Sequence, residues 1–341
     1  MTKREIAELT RCNVVSSRIR LARNVEGLPF PHRSTERDRK KILQFMRGAR
    51  RAAEGLFDFN FYLMSELDEV QKMAMIERHL ISPSLAENSL TGAVILEKSE
   101  GVSVMLNEED RVREQCVQRG FRLGAAYERI ACYDERLAAE VDVAFDKDLG
   151  YLTACPTNLG TGMRASTMLF LPALKLAGDI ENALTAFIRG YGLTVRGVYG
   201  EGSEAKGDMY QLSNTRTLGA DEREIIDVIE RATVEMCYRE RCALDELSRR
   251  ARTELLDRVA RSYAVLRDAY RLSAAELMRL ISDAKLGVIL GVVPLKGTEL
   301  LDKLLVLCSA ANLELMLGAG EHSDLERDTA RARYVRAALG E

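Results

Sequence analysis

The sequence predicts an α+β fold in which a β-rich half with helices is followed by an all-helical C-terminal part. Up to about residue 213, short β-rich runs alternate with helical patterns, and the runs 92–97 and 101–106 are separated by a charged turn typical of a hairpin. From residue 221 to the end, apolar residues recur at spacings of three and four. We place the boundary near 249–253, which gives a β-rich domain at 13–245 and a helical domain at 253–341.

The individual elements follow from the same periodicities. We predict amphipathic helices at 35–56 and 65–80, followed by the hairpin and a third helix at 121–140. Short strands are predicted at 141–145 and 151–154, and helices at 165–176 and 180–189. The last β-rich runs are 193–198 and 209–213.

Composition excludes several classes of function. The chain has 341 residues, a hydrophobic content of 47%, a charged content of 30% and a net charge of −3, which is typical of a globular protein without a basic bias toward nucleic acid. No apolar run is long enough to span a membrane, and the first residues lack the apolar core of a signal peptide. We therefore expect a cytoplasmic protein that acts on neither nucleic acid nor membrane.

Cysteine and histidine usage argues against a metal site. The seven cysteines are scattered without a Cys-x-x-Cys pair, and only three histidines are present. Zinc sites need clusters of these residues, so we predict free thiols and no protein-bound metal.

The stretch from Cys155 to Arg164, CPTNLGTGMR, has the most specific chemistry. It combines a thiol, a turn with Gly160 and Gly162, and an arginine at the predicted start of a helix near Ala165. These groups suit an anionic ligand beside a reacting centre. A lone cysteine before a glycine turn is more often a packing residue, so this stretch needs support from the rest of the chain.

Arg18 and Arg20 provide the first support. They are two residues apart in a predicted strand beginning at Val14, so they share one face. Two guanidinium groups on one face suit a polyphosphate, whose oxygens they bind in a bidentate fork. A solvated basic edge strand explains the same pattern.

Two further segments carry paired charges. The acidic turn 107–113, NEEDRVR, contains Glu109 and Arg113, and the glycine-rich segment 196–205, RGVYGEGSEA, contains Arg196 and Glu201. Acidic residues at a strand end are compatible with a plain solvated turn, whereas a functional interpretation gives them a cationic partner. The glycines of the second segment predict a loop that closes over a ligand.

Together these strings, in this order over about residues 13–241, resemble the phosphagen (guanidino) kinases. The resemblance implies an antiparallel sheet flanked by helices, ATP as substrate, and Mg²⁺ bound through the nucleotide. It implies that Glu109 and Glu201 clamp a guanidinium group, with Glu109 as the base, and that Cys155 is the active-site thiol. It also implies that His79 lies against the adenine, and that the nucleotide is bound by Ser16, Ser17, Arg18, Ile19, Arg20, His79, Arg113, Arg164, Ala165, Ser166, Thr167, Met168, Arg196, Gly197, Val198, Tyr199, Gly200 and Glu201.

Two departures narrow the resemblance to the bacterial protein-arginine kinases. The first arginine motif begins near residue 14, which leaves no room for the helical domain that precedes it in small-molecule guanidino kinases, and a helical domain follows instead. The strings GEGSEA and LSNTRTLG also resemble that subfamily. Near the end, RDTARA resembles its RDxxRA motif, which implies a phosphoarginine pocket formed by Arg327, Asp328, Thr329, Ala330, Arg331 and Ala332.

The resemblance implies transfer of the γ-phosphoryl group of ATP to arginine residues of proteins, marking them for Clp-type proteolysis in a stress response. The implied partners are exposed arginines of proteins, an McsA-like activator and a ClpC-type unfoldase. The apolar stretches 286–295 and 300–307 predict a homodimer. Two alternatives remain open: a small-molecule guanidino kinase and a non-catalytic adaptor that reads phosphoarginine.

Overall fold

A computed structural model describes residues 1–197, 206–318, 320 and 322–340. Within these residues, eight strands form one antiparallel sheet, with the order β2-β3-β4-β5-β1-β8-β10-β9. The ten strands, of which β6 and β7 form a separate small hairpin, are β1 Val14–Arg23, β2 Phe59–Leu63, β3 Ala93–Glu97, β4 Val102–Leu106, β5 Val112–Arg119, β6 Phe145–Asp146, β7 Gly150–Tyr151, β8 Met163–Phe170, β9 Leu193–Gly197 and β10 Met209–Asn214.

The helices lie on both sides of the sheet and make up the C-terminal part. They are α1 Lys3–Thr10, α2 Arg39–Ala53, α3 Glu69–Glu77, α4 Pro83–Glu87, α5 Leu123–Glu140, α6 Pro172–Leu176, α7 Ile180–Tyr191, α8 Glu222–Arg250, α9 Arg252–Asp268, α10 Ala274–Ile289, α11 Glu299–Leu307, α12 Ala310–Leu317 and α13 Asp324–Gly340. None of the helices in the described ranges combines the length and the apolarity needed to cross a membrane.

The main core lies between one face of the sheet and helices α2, α5, α7 and α8. Alternate residues of β1 and β8 enter it, including Ile19, Leu21 and Ala165, all of which are fully buried. A smaller core on the opposite face covers β3 and β4 with α3 and α4, around Met75, Leu85 and Met105. The remainder of that second face, from β5 through β9, is where the charged side chains lie.

The C-terminal helices have their own core, around Leu277, Leu304 and Val335. They join the sheet through the fully buried Lys285, which forms an ion pair with Asp302 at 2.6 Å and stacks its ammonium group on the Phe170 ring at 4.1 Å. A buried charge needs such a partner.

The apolar stretches that predicted a dimer are largely used inside the chain. Leu286, Leu301 and Leu304 are all buried, and the last two lie in the core of the C-terminal helices. Their apolarity therefore does not by itself predict a second copy.

The fold class and the 92–106 hairpin are confirmed, but one predicted element is wrong. The helix predicted at 165–176 is mostly strand β8, and only Pro172–Leu176 are helical. The reason is that residues 168–170 are all apolar and continue into the helical segment, so the alternation of the short strand is hard to distinguish from a buried helix. Arg164 therefore lies on a strand and not at a helix start.

Other predicted boundaries shift. The helix at 65–80 begins after Asp68, whose side chain accepts a hydrogen bond from the Gln71 backbone, and the helix ends at Glu77. The strands predicted at 141–145 and 151–154 shrink to the two-residue strands β6 and β7.

Candidate active site

Five arginines converge on the open face of the sheet, and strand register explains why. Arg20 lies opposite Arg164 of β8 and Gln115 of β5, while Ala22 lies opposite Arg113. Side chains directly opposite each other in a sheet share a face, and so do residues two apart. Continuing through Met168 and Gln211, the same rule brings Arg196 of β9 to this face.

The cluster has few protein partners. The Nε atoms of Arg18, Arg20 and Arg164 are buried without a hydrogen-bond partner in the described part of the chain. Burial, together with the guanidinium groups of Arg113 and Arg164, lowers the pKa of Arg18 to about 9. Burial, followed by the guanidinium groups of Arg18, Arg113 and Arg164, lowers the pKa of Arg20 well below its ordinary value. Buried donors and uncompensated positive charge fit a polyanion such as a triphosphate.

The acidic turn lies beside this cluster and divides its carboxylates between two tasks. Glu108 accepts hydrogen bonds from Arg113 Nη1 at 2.7 Å and from Ser82 Oγ at 2.6 Å. Burial alone raises its pKa, but Arg113 and these hydrogen bonds hold the pKa of Glu108 below its ordinary value. Glu108 therefore orients Arg113, a role that the sequence prediction missed.

Glu109 has the opposite environment. It is exposed toward a cleft of about 160 Å³ that is also lined by Arg20, Arg113, Cys155 and Arg164. Partial burial, followed by the negative charges of Asp110 and Glu108, raises its pKa. A carboxylate with a raised pKa at the mouth of a cationic cleft is suited to accept a proton.

Asp110 and Asn24 connect the acidic turn to the cysteine loop. Asp110 accepts hydrogen bonds from Asn24 Nδ2 and from the Ala154 backbone, both at 2.7 Å. Asn24 also donates to the carbonyl of Leu152 at 2.9 Å. These two buried side chains place Glu109 and Cys155 in one cleft. Asp110 stands in the string NEEDRVR, which predicted the site, but the bridging role of Asp110 and Asn24 depends on tertiary structure.

Cys155 is followed by a single 3₁₀ turn, Pro156–Asn158, and its Sγ lies 3.0 Å from Thr157 Oγ1. The predicted helix start near Ala165 is absent, so a helix dipole does not act on this thiol. Gly160 and Gly162 have positive φ angles, and a Cβ at either would collide with the backbone of Thr217 or Ala22. These two glycines thus allow close contact between segments of the protein's own backbone, and not with a ligand.

Arg23 stabilises the loop that connects Cys155 to β8. Its guanidinium forms a bidentate pair with Asp134 at 2.8–2.9 Å, donates to the carbonyl of Thr161 at 3.0 Å and stacks 3.5 Å from the Tyr151 ring centroid. Because Arg23 has the same alternation as Ile19 and Leu21, it points into the core and not into the cleft. That phase was the available signal that Arg23 is structural.

The side chains of the nucleotide-binding residues predicted from the resemblance point to two opposite faces of the sheet. Ser16, Ser166 and Met168 share the arginine face. Ser17, Ile19, Ala165 and Thr167 point to the helical core: Ser17 Oγ donates to the Gly120 carbonyl at 2.8 Å, and Thr167 Oγ1 lies 2.8 Å from Thr233 Oγ1. Only the backbones of these four residues can face a ligand. Gly197 ends β9, whereas Val198, Tyr199, Gly200 and Glu201 lie outside the described residues.

The predicted C-terminal pocket has a different character. Arg327, Asp328 and Arg331 line a cavity of about 820 Å³ between α3 and α13, together with Arg271 and Glu314. Arg327 is paired with Glu314 at 2.8 Å, and Arg331 is buried and donates to Asp328 and to the Leu272 and Cys308 carbonyls at 2.7–3.0 Å. Ala330 and Ala332 are buried, and Thr329 Oγ1 donates to Leu325 O.

Comparisons with known proteins agree with this geometry. Residues 41–243 match the ATP:guanido phosphotransferase C-terminal catalytic domain, and residues 252–341 match the C-terminal domain of protein-arginine kinase McsB. A protein-arginine kinase of Caldanaerobacter subterraneus subsp. tengcongensis is 41% identical over 96% of both chains, and one of Moorella thermoacetica is 42% identical over 96% of this chain and 93% of that protein.

Solved structures show the same fold. The duplicated taurocyamine kinase of Schistosoma mansoni with transition-state analogue components matches 73% of this chain with a TM-score of 0.61 and 27% identity, and this chain spans 37% of it. Lombricine kinase matches 67% of this chain with a TM-score of 0.57 and 27% identity, and this chain spans 66% of it. The sheet and its flanking helices are therefore those of a guanidino kinase catalytic domain. The chain belongs to the ATP:guanido phosphotransferase family, and its C-terminal part matches the model for the McsB C-terminal domain.

Proposed function

We propose that this protein is a protein-arginine kinase that transfers the γ-phosphoryl group of ATP to the guanidinium group of arginine residues in proteins. The observation that carries the proposal is the cluster of arginines with buried, unpartnered Nε atoms beside Glu109 and Cys155. The names of the full-length relatives support a protein arginine as the acceptor.

On the nucleotide side, Arg18, Arg20, Arg113, Arg164 and Arg196 bind the triphosphate and the charge that develops on the transferred group. Glu108 and Gln115 orient two of these arginines. The Nε atoms of Arg18, Arg20 and Arg164, buried without a hydrogen-bond partner among the described residues, fit a triphosphate well. Mg²⁺ would be held through the phosphates, and it supplies charge neutralisation there. Among the described residues no group of three acidic, histidine or cysteine side chains forms a metal site.

On the acceptor side, a guanidinium nitrogen attacks the γ-phosphorus. The new N–P bond forms as the bond to the ADP oxygen breaks, and the nitrogen loses a proton. Free guanidinium is a poor nucleophile because it stays protonated, so the cleft must orient it and accept that proton. Glu109 does both in this proposal, Cys155 adds a sulfur beside the acceptor, and Glu201, which lies outside the described residues, is proposed as the second clamp.

The division into domains 13–245 and 253–341 is part of the proposal, and the end of α8 at Arg250 supports it. So are a phosphoarginine pocket at 327–332 that raises activity, a homodimer, cytoplasmic localisation, and a stress-response role with an McsA-like activator and a ClpC-type unfoldase. The exposed Leu315, Met316 and Leu325 beside the pocket support a contact surface of some kind in this region.

One assay tests the activity. The purified protein is incubated with Mg²⁺ and γ-labelled ATP, together with either free arginine or an unfolded arginine-containing protein. The proposal predicts acid-labile phosphate on the protein and little on free arginine. Label on free arginine alone would indicate a small-molecule kinase, and binding of phosphoarginine without any transfer would indicate an adaptor.

A further inference from the structure

The carboxylate of Glu77 joins the two parts of the chain at one point. Both of its oxygens accept a hydrogen bond from the Ala311 backbone at 3.0 Å, and Oε2 also accepts from the Asn312 backbone and Asn312 Nδ2 at 3.0 Å and from Ser309 Oγ at 2.6 Å. Glu77 is the last residue of α3, and these donors form the start of α12. A carboxylate at a helix N-terminus satisfies amides that otherwise lack partners.

The turn after Glu77 is closed by two backbone hydrogen bonds. His79 has a φ of 60°, the Leu80 backbone donates to Met75 at 2.9 Å, and the His79 backbone donates to Ile76 at 2.8 Å. This is the Schellman arrangement that ends many helices, with histidine where glycine is usual. The next residue, Leu80, is buried, which anchors His79 further to the end of α3.

His79 in turn reaches the arginine face. Its carbonyl accepts a hydrogen bond from Gln115 Nε2 at 2.7 Å, and the carbonyl oxygen of the same Gln115 side chain accepts from Arg18 Nη2. Gln115 thus fixes one nitrogen of an arginine that otherwise lies among like charges. The connection from α12 to Arg18 consists of Glu77, the closed turn and Gln115.

We propose that Glu77 is a positioning residue for nucleotide binding: by fastening α12 to the end of α3, it sets the His79 carbonyl and, through Gln115, the orientation of Arg18. The C-terminal helices thereby support a cleft whose five arginines all lie on strands of the sheet. This inference rests on the proposed function, because it assumes that Arg18 binds nucleotide phosphates.

The substitution Glu77→Gln tests it. The amide keeps the volume of the side chain but turns a donor toward backbone donors, which breaks the fastening. We expect the Kd for Mg-ADP, measured by calorimetry, to rise about three- to tenfold, the size of one lost hydrogen bond. Glu87→Gln is the matched control, because Glu87 is exposed and also ends a helix, α4. Its Kd should equal that of the wild type.

A double-mutant cycle separates positioning from mere stability. In a Gln115→Met background, Glu77→Gln should have no further effect on the Kd, because the connection is already cut. Additive effects, or a Glu77→Gln protein that loses thermal stability while binding ADP like the control, would overturn the inference. If Glu77→Gln does not fold, Asn312→Ala takes its place, with a smaller expected rise and the same criterion. A wild-type protein that binds no ADP would instead refute the proposed function.

Discussion

Arginine is used in opposite ways in the two parts of this molecule. In the sheet, Arg18, Arg20 and Arg164 crowd one face, and their buried Nε atoms lack partners. In the C-terminal helices, Arg327 and Arg331 are each matched by carboxylates and carbonyls of the same chain. Both sets were predicted to bind phosphate. Arg20 and Arg164 line the cleft beside Glu109, and Arg327 and Arg331 line the C-terminal cavity.

This difference in hydrogen bonding indicates which of the two sites has donors available for a ligand. A buried donor without a partner costs free energy that an incoming acceptor can restore, so we expect a bound anion to stabilise the sheet cluster. Arg327 and Arg331, in contrast, already donate hydrogen bonds to carboxylates and carbonyls of the same chain. To bind at Arg327, a phosphoarginine would have to displace Glu314. It could instead contact Arg271 and Asp328, whose Nη2 and Oδ2 atoms lie 3.6 Å apart.

The largest expected effect sharpens the comparison by separating binding from chemistry. In Glu109→Gln the arginine face is untouched, so ADP affinity should hold while phosphoryl transfer falls about 10²–10⁴-fold, the usual loss for a positioned base. Initial rates of acid-labile phosphate formation measure this. Glu128→Gln, at an exposed position on α5, serves as the control. Turnover within a few-fold of the control would remove Glu109 from the mechanism.

Stability should respond in opposite directions in the two regions. Arg331→Met leaves Asp328 and two carbonyls without their buried donor, which should lower the free energy of unfolding by about 3–5 kcal/mol. Arg20→Met removes one of several repelling buried cations and should leave the ligand-free protein as stable as the wild type or more so. Urea unfolding of both variants checks the contrast, and similar losses in both would break it.

The pH dependence is a smaller effect. Because burial, Asp110 and Glu108 raise the pKa of Glu109, its base form is lost as the pH falls through a value above the ordinary range of glutamate. The rate of transfer should therefore decline on the acid side earlier than for an unperturbed carboxylate. Removing the neighbouring charge in Asp110→Asn should shift the acid limb to lower pH, whereas a limb that stays in place would assign it to another group.

The sequence predicted the fold class and the pairs of charges that lie within one element. Arg18 and Arg20 share a strand, so their common face follows from alternation alone. The meeting of Arg113, Arg164 and Arg196 with them depends on the register between five strands, which no local pattern specifies.

The residues that sequence reasoning missed act across the fold. Asp110, Arg23 and Glu77 bond to partners 44, 111 and more than 200 positions away. Of these three residues, only Arg23 could have been assigned from the sequence, because it alternates with Ile19 and Leu21 and therefore shares their core-facing side of the strand. Strand β8 was predicted as a helix because Met168 and Phe170 add apolar side chains to the face that carries Arg164, which obscures the alternation of this strand.

The most direct test of the account is the affinity of Mg-ADP for three proteins, measured by calorimetry at one salt concentration: wild type, Arg20→Met and Arg327→Met. If the unpartnered arginines form the nucleotide site, Arg20→Met should weaken binding about ten- to a hundredfold, as expected for a lost charged hydrogen bond, and Arg327→Met should bind like the wild type. Equal affinity in wild type and Arg20→Met, or a greater loss in Arg327→Met, would contradict the account.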